Sequence, residues 1–380
     1  MRPIYLDYNA TTPVAPEVVE AMLPYFSKDF GNPSSSHAYG RRVHEAVERA
    51  RLQVAAFIGA SPEEIVFTGS GTEATNLALR GTASANPQRR HIVTTTFEHP
   101  ATTETVASLE RTGLSVSRAP VESDGRVAPE KIAALVQNDT LIVTVMHAHN
   151  EIGTIQPVAD VAKAARSKGV LVHTDAAQTL GKVPVDVDAL GVDLLTIVGH
   201  KFYAPQGVGA LFIRRGTGVD PVITGAGHER GIRPGTENVA GIVGLGRACE
   251  LAERVMVTER MRQRALRDRL LEALRVAVPE LIVHGHPTER LPNTLFVTFP
   301  GVAGAKLLEV VPELAASTGS ACHTGVDAPC ASLLAIGVPS EKAVGPVRLS
   351  LGRSTTVEEI ERAAGLLTAA WRQLAAQVPA

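Results

Sequence analysis

Between residues 65 and 198 the chain carries five short runs that are apolar almost throughout: Ile65-Val66-Phe67-Thr68, Ile92-Val93-Thr94-Thr95, Leu141 to Val145, Val170-Leu171-Val172 and Leu194 to Val198. They do not alternate apolar with polar, as a strand with one wet face would. A strand apolar on both faces needs cover on both, and helical stretches such as Val158 to Ser167 lie between the runs to provide it. This alternation, running from about residue 16 to about residue 215, predicts an α/β fold with a mostly parallel sheet flanked by helices. Pro16 to Phe26 reads as its first helix: a Pro-Glu start is followed by apolar residues at Val18, Val19, Met22, Leu23 and Phe26. Val208 to Ile213 predicts a further strand at the sheet edge.

Beyond this region the pattern changes. Residues 239 to 278 form a long helical stretch rich in Arg, Glu and Leu. Leu281-Ile282-Val283, Thr294 to Phe299 and Val347 to Leu351 read as strands of a second, smaller layer. A final helix opens on the capping box Thr356-x-x-Glu359 and carries Ile360, Ala363, Leu366, Leu367, Ala370 and Trp371 on one face. The 380 residues, 44% of them hydrophobic, suffice for a large domain over 13–255 and a smaller α+β domain built from 1–12 and 256–380. The 37 basic and 39 acidic residues nearly cancel, which disfavours a nucleic-acid partner. No stretch reaches bilayer-spanning length, the N-terminus lacks a signal-peptide apolar core, and three cysteines make no disulfide framework. The expected compartment is the cytoplasm.

Two of the apolar runs end in chemistry. Asp175 closes His173-Thr174-Asp175-Ala176-Ala177-Gln178, and Lys201 follows the next run in Gly199-His200-Lys201. A lysine amine and a carboxylate at the ends of neighbouring strands reach opposite edges of one flat ring. Pyridoxal phosphate asks for this pair: the amine forms a Schiff base with its aldehyde, and the carboxylate keeps the ring nitrogen protonated. Thr68-Gly69-Ser70-Gly71-Thr72-Glu73 follows a strand and precedes a helical pattern, so its backbone N–H groups can seat a phosphate. His99, after another strand, is placed to stack on the ring and exchange protons, or simply to cap a helix. Asn150 follows a strand in the same way. His147 and His149 alternate, but no Cys or carboxylate partner has ligand spacing, and no metal site is read from them.

Cys322 sits in the small, polar, glycine-bearing stretch Ser317-Thr318-Gly319-Ser320-Ala321-Cys322-His323-Thr324-Gly325, the setting of a working thiol rather than a packed one, with His323 beside it to assist. Cys330 and Cys249 read as packing. Arg348 lies inside a strand-like run and needs an anion: an amino-acid carboxylate is one candidate, a nearby Asp or Glu the other. Arg353 is a weaker carboxylate binder.

Taken in order, these segments closely resemble the cysteine desulfurase and selenocysteine lyase family of class V, fold-type I pyridoxal-phosphate enzymes. The matching pieces are Tyr5 to Thr12, Gly31-Asn32-Pro33-Ser34-Ser35, Phe67 to Glu73, Asn150-Glu151-Ile152-Gly153, the Asp175 and Lys201 motifs, Gly227 to Arg230, Arg233 to Asn238, Gly319 to Cys322 and Arg348 to Thr355. The resemblance implies a fold-type I pyridoxal-phosphate-dependent transferase whose large domain binds the cofactor and whose small domain carries the cysteine loop. It implies that Lys201 is the Schiff-base lysine, Asp175 the pyridinium partner and Gln178 a contact to the cofactor hydroxyl. Gly71, Thr72 and His200 would hold the phosphate, with Thr236 donated by the second subunit of a homodimer. His99 would stack on the ring, Asn150 would serve cofactor and substrate, and Asn9 and Arg348 would bind substrate. Cys322 would be the persulfide-forming nucleophile.

The implied reaction converts L-cysteine to L-alanine and passes sulfur to an acceptor such as an iron–sulfur scaffold protein; the alternative is release of selenium from L-selenocysteine. A class V aminotransferase would not need Cys322, and a non-catalytic sulfur-transfer scaffold would not keep Lys201. The chain departs from many relatives at Val198, where a phosphate-binding Ser is common, and at His149, where Asn is common. The Cys322-His323 pair and the residues around Lys201 look closer to animal-type selenocysteine lyases.

Overall fold

The computed structural model describes residues 2–319 and 329–377. Strand β1 (Ile4–Tyr5) is followed by seven strands that form one sheet: β2 (Ile65–Thr68), β3 (His91–Thr95), β4 (Ser115–Ala119), β5 (Thr140–Thr144), β6 (Leu171–Asp175), β7 (Leu194–Val198) and β8 (Gly209–Ile213). Their order is β2-β8-β7-β6-β5-β3-β4. From β7 to β4 every pairing is parallel, whereas β8 runs antiparallel to both β7 and β2. All seven strands except β4 are buried along almost their whole length, as their two-sided apolar character requires.

Two expectations need correction. Residues 209–213 do not form the sheet edge; they lie between β7 and β2, buried at every position, because the chain returns directly beside β7 and leaves the outer place to β2. The helix expected over 16–26 ends at Met22, and a separate turn, Pro24–Ser27, follows Leu23. Pro24 lacks the N–H that would continue the first helix. Only Val18 of the five apolar positions is fully buried, and Leu23 and Phe26 are 58% and 66% exposed.

A second sheet of three antiparallel strands, β9 (Ile282–Val283), β10 (Thr294–Thr298) and β12 (Pro346–Ser350), lies in the order β12-β10-β9. β1 pairs in parallel with β11 (Leu314–Ala315), and Asp7 bridges to Ser350, so the N-terminal segment is woven into this second layer. Helix Val239–Ala277 spans both layers, and the C-terminal helix Val357–Ala375 starts with the expected reciprocal capping box of Thr356 and Glu359. One apolar cluster gathers the large sheet and its helices, with Val18, Phe67, Val143, Ile197 and Leu245; another gathers Ile4, Leu6, Leu270, Leu295, Leu349 and Leu367.

A polar ladder crosses the main sheet beneath its carboxyl ends. His173 on β6 bonds Thr144 of β5 through Nδ1 at 2.8 Å and Thr196 of β7 through Nε2 at 3.0 Å. Thr196 meets Thr75 at 3.1 Å, tying the ladder to helix Gly71–Asn76. Every ring nitrogen and hydroxyl in this row has a partner, which a buried polar row must have.

Candidate active site

The residues singled out for chemistry collect at the carboxyl ends of β3, β5, β6 and β7, where an open α/β sheet offers a crevice. Asp175 is the last residue of β6, and Lys201 stands in the single turn Gly199–Lys201 that follows β7. The Lys201 ammonium donates to the backbone carbonyls of Asn9 at 2.8 Å and Ala10 at 2.7 Å. Burial, aided by the Arg348 charge, lowers its pKa to about 8. The Asp175 carboxylate accepts the Ala177 N–H at 2.9 Å. Burial raises its pKa, against the pull of His99, that N–H and Lys201.

His99 takes the capping place, and that place lies at the site. It caps helix Pro100–Arg111, its Nδ1 accepting the Ala101 N–H at 3.1 Å, and it also lies within electrostatic reach of Asp175 and Lys201. The capping bond needs a lone pair on Nδ1, so the proton of the neutral ring sits on Nε2. Burial keeps the ring neutral by lowering its pKa.

The glycine turn lies where the sequence puts it. Ser70 caps helix Gly71–Asn76 by accepting the Glu73 N–H at 3.1 Å, and Glu73 in turn accepts the Gly69 N–H at 2.8 Å. Glu73 is held from the far side by Arg233, at 2.6 Å. Gly71 and Thr72 occupy the first helical positions, where N–H groups have no acceptor within the helix. A Cβ on Gly71 would overlap the Val198 side chain, so Val198 packs tightly beneath the turn instead of presenting a hydroxyl. Thr72 and Thr236 are exposed. The His200 ring bonds Thr11 Oγ1 at 3.0 Å, and burial together with Lys201 and Lys182 lowers its pKa to about 4.

On the opposite side Arg348 stands on β12, buried, and the two anions weighed for it from sequence are resolved in part. One guanidinium nitrogen donates to Asp7 at 2.8 Å and another to the Asn150 carbonyl at 3.1 Å, while Nε has no partner among the described residues. Asn9 spends its side chain inside the protein: Nδ2 donates to Thr294 and to the Asn150 carbonyl, and Oδ1 accepts from Asn293 and Lys182. Gln178 donates to the Asn9 carbonyl at 3.0 Å and accepts from Lys182 at 2.8 Å. His149 stacks on Phe97 with ring centroids 3.7 Å apart and accepts the Glu151 N–H, and His147 is buried, its Nδ1 without a partner among the described residues.

Cys322 and His323 lie outside the described residues. Residues on either side of that segment meet at buried Glu151: a Cβ on Gly319 would touch its carboxylate, Ser332 donates to it, and the Cys330 thiol lies 3.6 Å away. Burial and Glu151 push the Cys330 thiol up to about 11, the opposite of an activated thiolate. Cys249 is buried and likewise raised. Lys182 is not singled out by the sequence, and Asp7 and Thr11 enter there only as members of the segment Tyr5 to Thr12. The only hint of Lys182 is its place four residues after Gln178.

These residues fit pyridoxal phosphate. Buried Asp175 has no basic side chain at ion-pairing distance among the described residues, and a protonated ring nitrogen would supply its missing counter-charge. The free N–H groups of Gly71 and Thr72 suit a phosphate, and the orphaned Nε of Arg348 suits a carboxylate. Known proteins agree with this chemistry. Residues 4–363 match the model of the class-V aminotransferases. The cysteine desulfurase IscS of Anaeromyxobacter dehalogenans is 46% identical over 99% of this chain and 94% of its own length. That of Methanosarcina thermophila is 45% identical over 94% of this chain and 89% of its own. A solved NifS-like protein superposes with a TM-score of 0.91 at 38% identity, covering 99% of this chain and 100% of the other. SspA, solved in complex with cysteine, superposes at 0.79 with 32% identity, covering 91% of this chain and 98% of its own. With nearly its whole length matched and nearly half its residues shared with such relatives, this chain belongs to the class-V aminotransferase family.

Proposed function

We propose that this chain is a pyridoxal-phosphate-dependent cysteine desulfurase that converts L-cysteine to L-alanine and carries the removed sulfur as a persulfide on Cys322. The observation that carries this reading is Lys201, its pKa lowered to about 8, standing beside buried Asp175 on the neighbouring strand, a carboxylate without an ion pair among the described residues. When bound, the cofactor supplies an aldehyde that takes up amines and a ring that spreads negative charge from the substrate Cα.

The chain's own groups do the rest. Arg348, held in place by Asp7 and the Asn150 carbonyl, would bind the substrate carboxylate. Lys201, when its amine is free and unprotonated, takes the proton from Cα. His99, with its proton on Nε2, would lie against the cofactor ring, where Nε2 can donate its proton to the substrate and then take one back. The Cys322 thiolate attacks the substrate sulfur: an S–S bond forms, the C–S bond breaks, and its electron pair remains on the carbon that becomes the alanine methyl. The persulfide then passes to an acceptor, such as a scaffold protein for iron–sulfur clusters. The solved relative SspA, bound to cysteine, supports the choice of substrate.

A homodimer suits the surface. Thr236 borders a hollow with Gly31, Asn32, Ser35 and His37, and the exposed Leu23, Phe26, Phe30 and Tyr39 lie on the same stretches of chain. Ile4 and Leu6 join the apolar cluster of residues 266–370, which supports placing 1–12 with the smaller domain, while Phe296, Leu333, Ile336 and Ala343 of 256–380 pack into the cluster of the large sheet. Among the described residues no helix is long and apolar enough to cross a membrane.

Cys322→Ala tests the reaction. Sulfur leaves carbon reluctantly without a thiolate to take it, so the mutant should stay yellow with bound cofactor yet release alanine from cysteine at least about 100-fold more slowly. Selenium leaves more readily, and some turnover of selenocysteine should survive. Alanine release from cysteine at the wild-type rate would overturn the persulfide role.

A further inference from the structure

Lys182 is 8% exposed, and among the described residues no carboxylate lies within ion-pairing distance of it. Its Nζ makes two hydrogen bonds, to Gln178 Oε1 at 2.8 Å and to Asn9 Oδ1 at 3.2 Å. An uncharged amine has two N–H groups, so both are used and no buried charge is left without a partner. Gly181, just before it, has φ 73°, and a Cβ on this glycine would come within 2.9 Å of Phe202, the neighbour of Lys201.

The two oxygens that Lys182 occupies decide how two amides lie. Because Gln178 Oε1 faces Lys182, its Nε2 must face the other way, and it donates to the Asn9 carbonyl at 3.0 Å. Because Asn9 Oδ1 faces Lys182 and Asn293, its Nδ2 must face Thr294 and the Asn150 carbonyl. Asn9 is thereby held at its side chain, at its carbonyl and, through Ser350, at its N–H. That carbonyl and the next are the acceptors of Lys201.

We propose that Lys182 is a positioning residue for Lys201: acting through Gln178 and Asn9, it sets the Asn9 and Ala10 carbonyls as the cradle that holds the Lys201 ammonium whenever that amine is not covalently engaged. The inference rests on the reading of Lys201 as the site lysine. A cradle of two oriented carbonyls favours the charged amine, and stands against the burial and the Arg348 charge that favour the neutral one. Asp7 and Asp175 act on the same side as the cradle.

Competitive acetylation with acetic anhydride, followed by peptide mapping across a pH series, reads the two lysines separately in the full chain freed of cofactor. In Lys182→Met the midpoint of the Lys201 profile should fall, so that its labelling at pH 7 rises about threefold to tenfold while the high-pH plateau is unchanged. General loosening of the fold would raise the plateau and leave the midpoint in place, and that result would overturn the proposal. An unchanged profile would do the same. The wild-type chain gives a second measurement that does not depend on how the variant folds: Lys182 should label slowly, and labelling as fast as that of surface lysines overturns its role. Borohydride reduction of the cofactor-loaded protein separates the two readings. Label on Lys201 with an unmoved profile removes the cradle alone; label on another lysine removes the site assignment and the cradle together.

Discussion

At the scale of single residues the site is a set of charges kept out of water and incompletely paired. Asp175 shows it best: a buried carboxylate with one backbone N–H and, among the described residues, no cationic side chain at ion-pairing distance. Asn at this position would keep the size and the hydrogen bond to Ala177 but remove the charge that holds a ring nitrogen protonated. Asp175→Asn should therefore fold and take up cofactor while alanine formation falls by a factor on the order of 100 or more, a loss in kcat rather than in KM. Steady-state alanine assays check this, and near wild-type kcat would assign the role to another carboxylate. Asp175 and Lys201 were legible in the sequence because each ends a run that could only be a buried strand. Lys182 and Asp7 were not, because what gives them meaning is Asn9 and Arg348, far away along the chain.

At the scale of elements, the phosphate turn shows how a local signal and a tertiary contact combine. Glycines after a strand and before a helix announce the turn, but nothing local says that Val198 packs against Gly71. The polar ladder from Thr144 through His173 and Thr196 to Thr75 fixes the same helix from below. A methyl at Gly71 must push Val198 or the helix aside, a misfit that typically costs about 1–3 kcal/mol. Gly71→Ala should therefore weaken cofactor binding about tenfold or more in a visible-absorbance titration. Adding Val198→Ala, which removes the opposing methyls, should recover most of the loss. Full affinity in the single mutant would mean that this turn does not seat the phosphate. The elements the sequence did not yield fail for a comparable reason. β4, Ser-Val-Ser-Arg-Ala, is a half-exposed edge strand with no apolar run to mark it, and the central place of β8 is decided by strand pairing rather than by its composition.

At the scale of the whole molecule, the fold carries an unusual load of uncharged histidine. Burial lowers the pKa of His147, His149, His200 and His284 to about 4 and that of His173 to about 3. Each imidazole binds its proton more readily in the unfolded chain, where its ordinary value is near 6.5. The sign follows: the stability each contributes is complete above about pH 6.5 and is lost as pH falls toward the folded-state value, at up to roughly 1.4 kcal/mol per pH unit for each group. Glu98, raised to about 8 by burial, and Asp175, also raised, act the other way, two carboxyls against these five imidazoles and those of His91 and His99, which burial lowers too. The net expectation is a midpoint of urea unfolding that declines steadily from pH 6.5 to 5, before most exposed carboxylates titrate. His173→Gln isolates one term, since an amide can still both donate and accept between Thr144 and Thr196 but cannot take up the proton. That variant should be somewhat less stable at pH 7.5, yet lose less stability between pH 6.5 and 5 than the wild type. Parallel curves for the two proteins over that interval would show that His173 is not a source of the acid sensitivity, and that the ladder serves the sheet by its geometry alone.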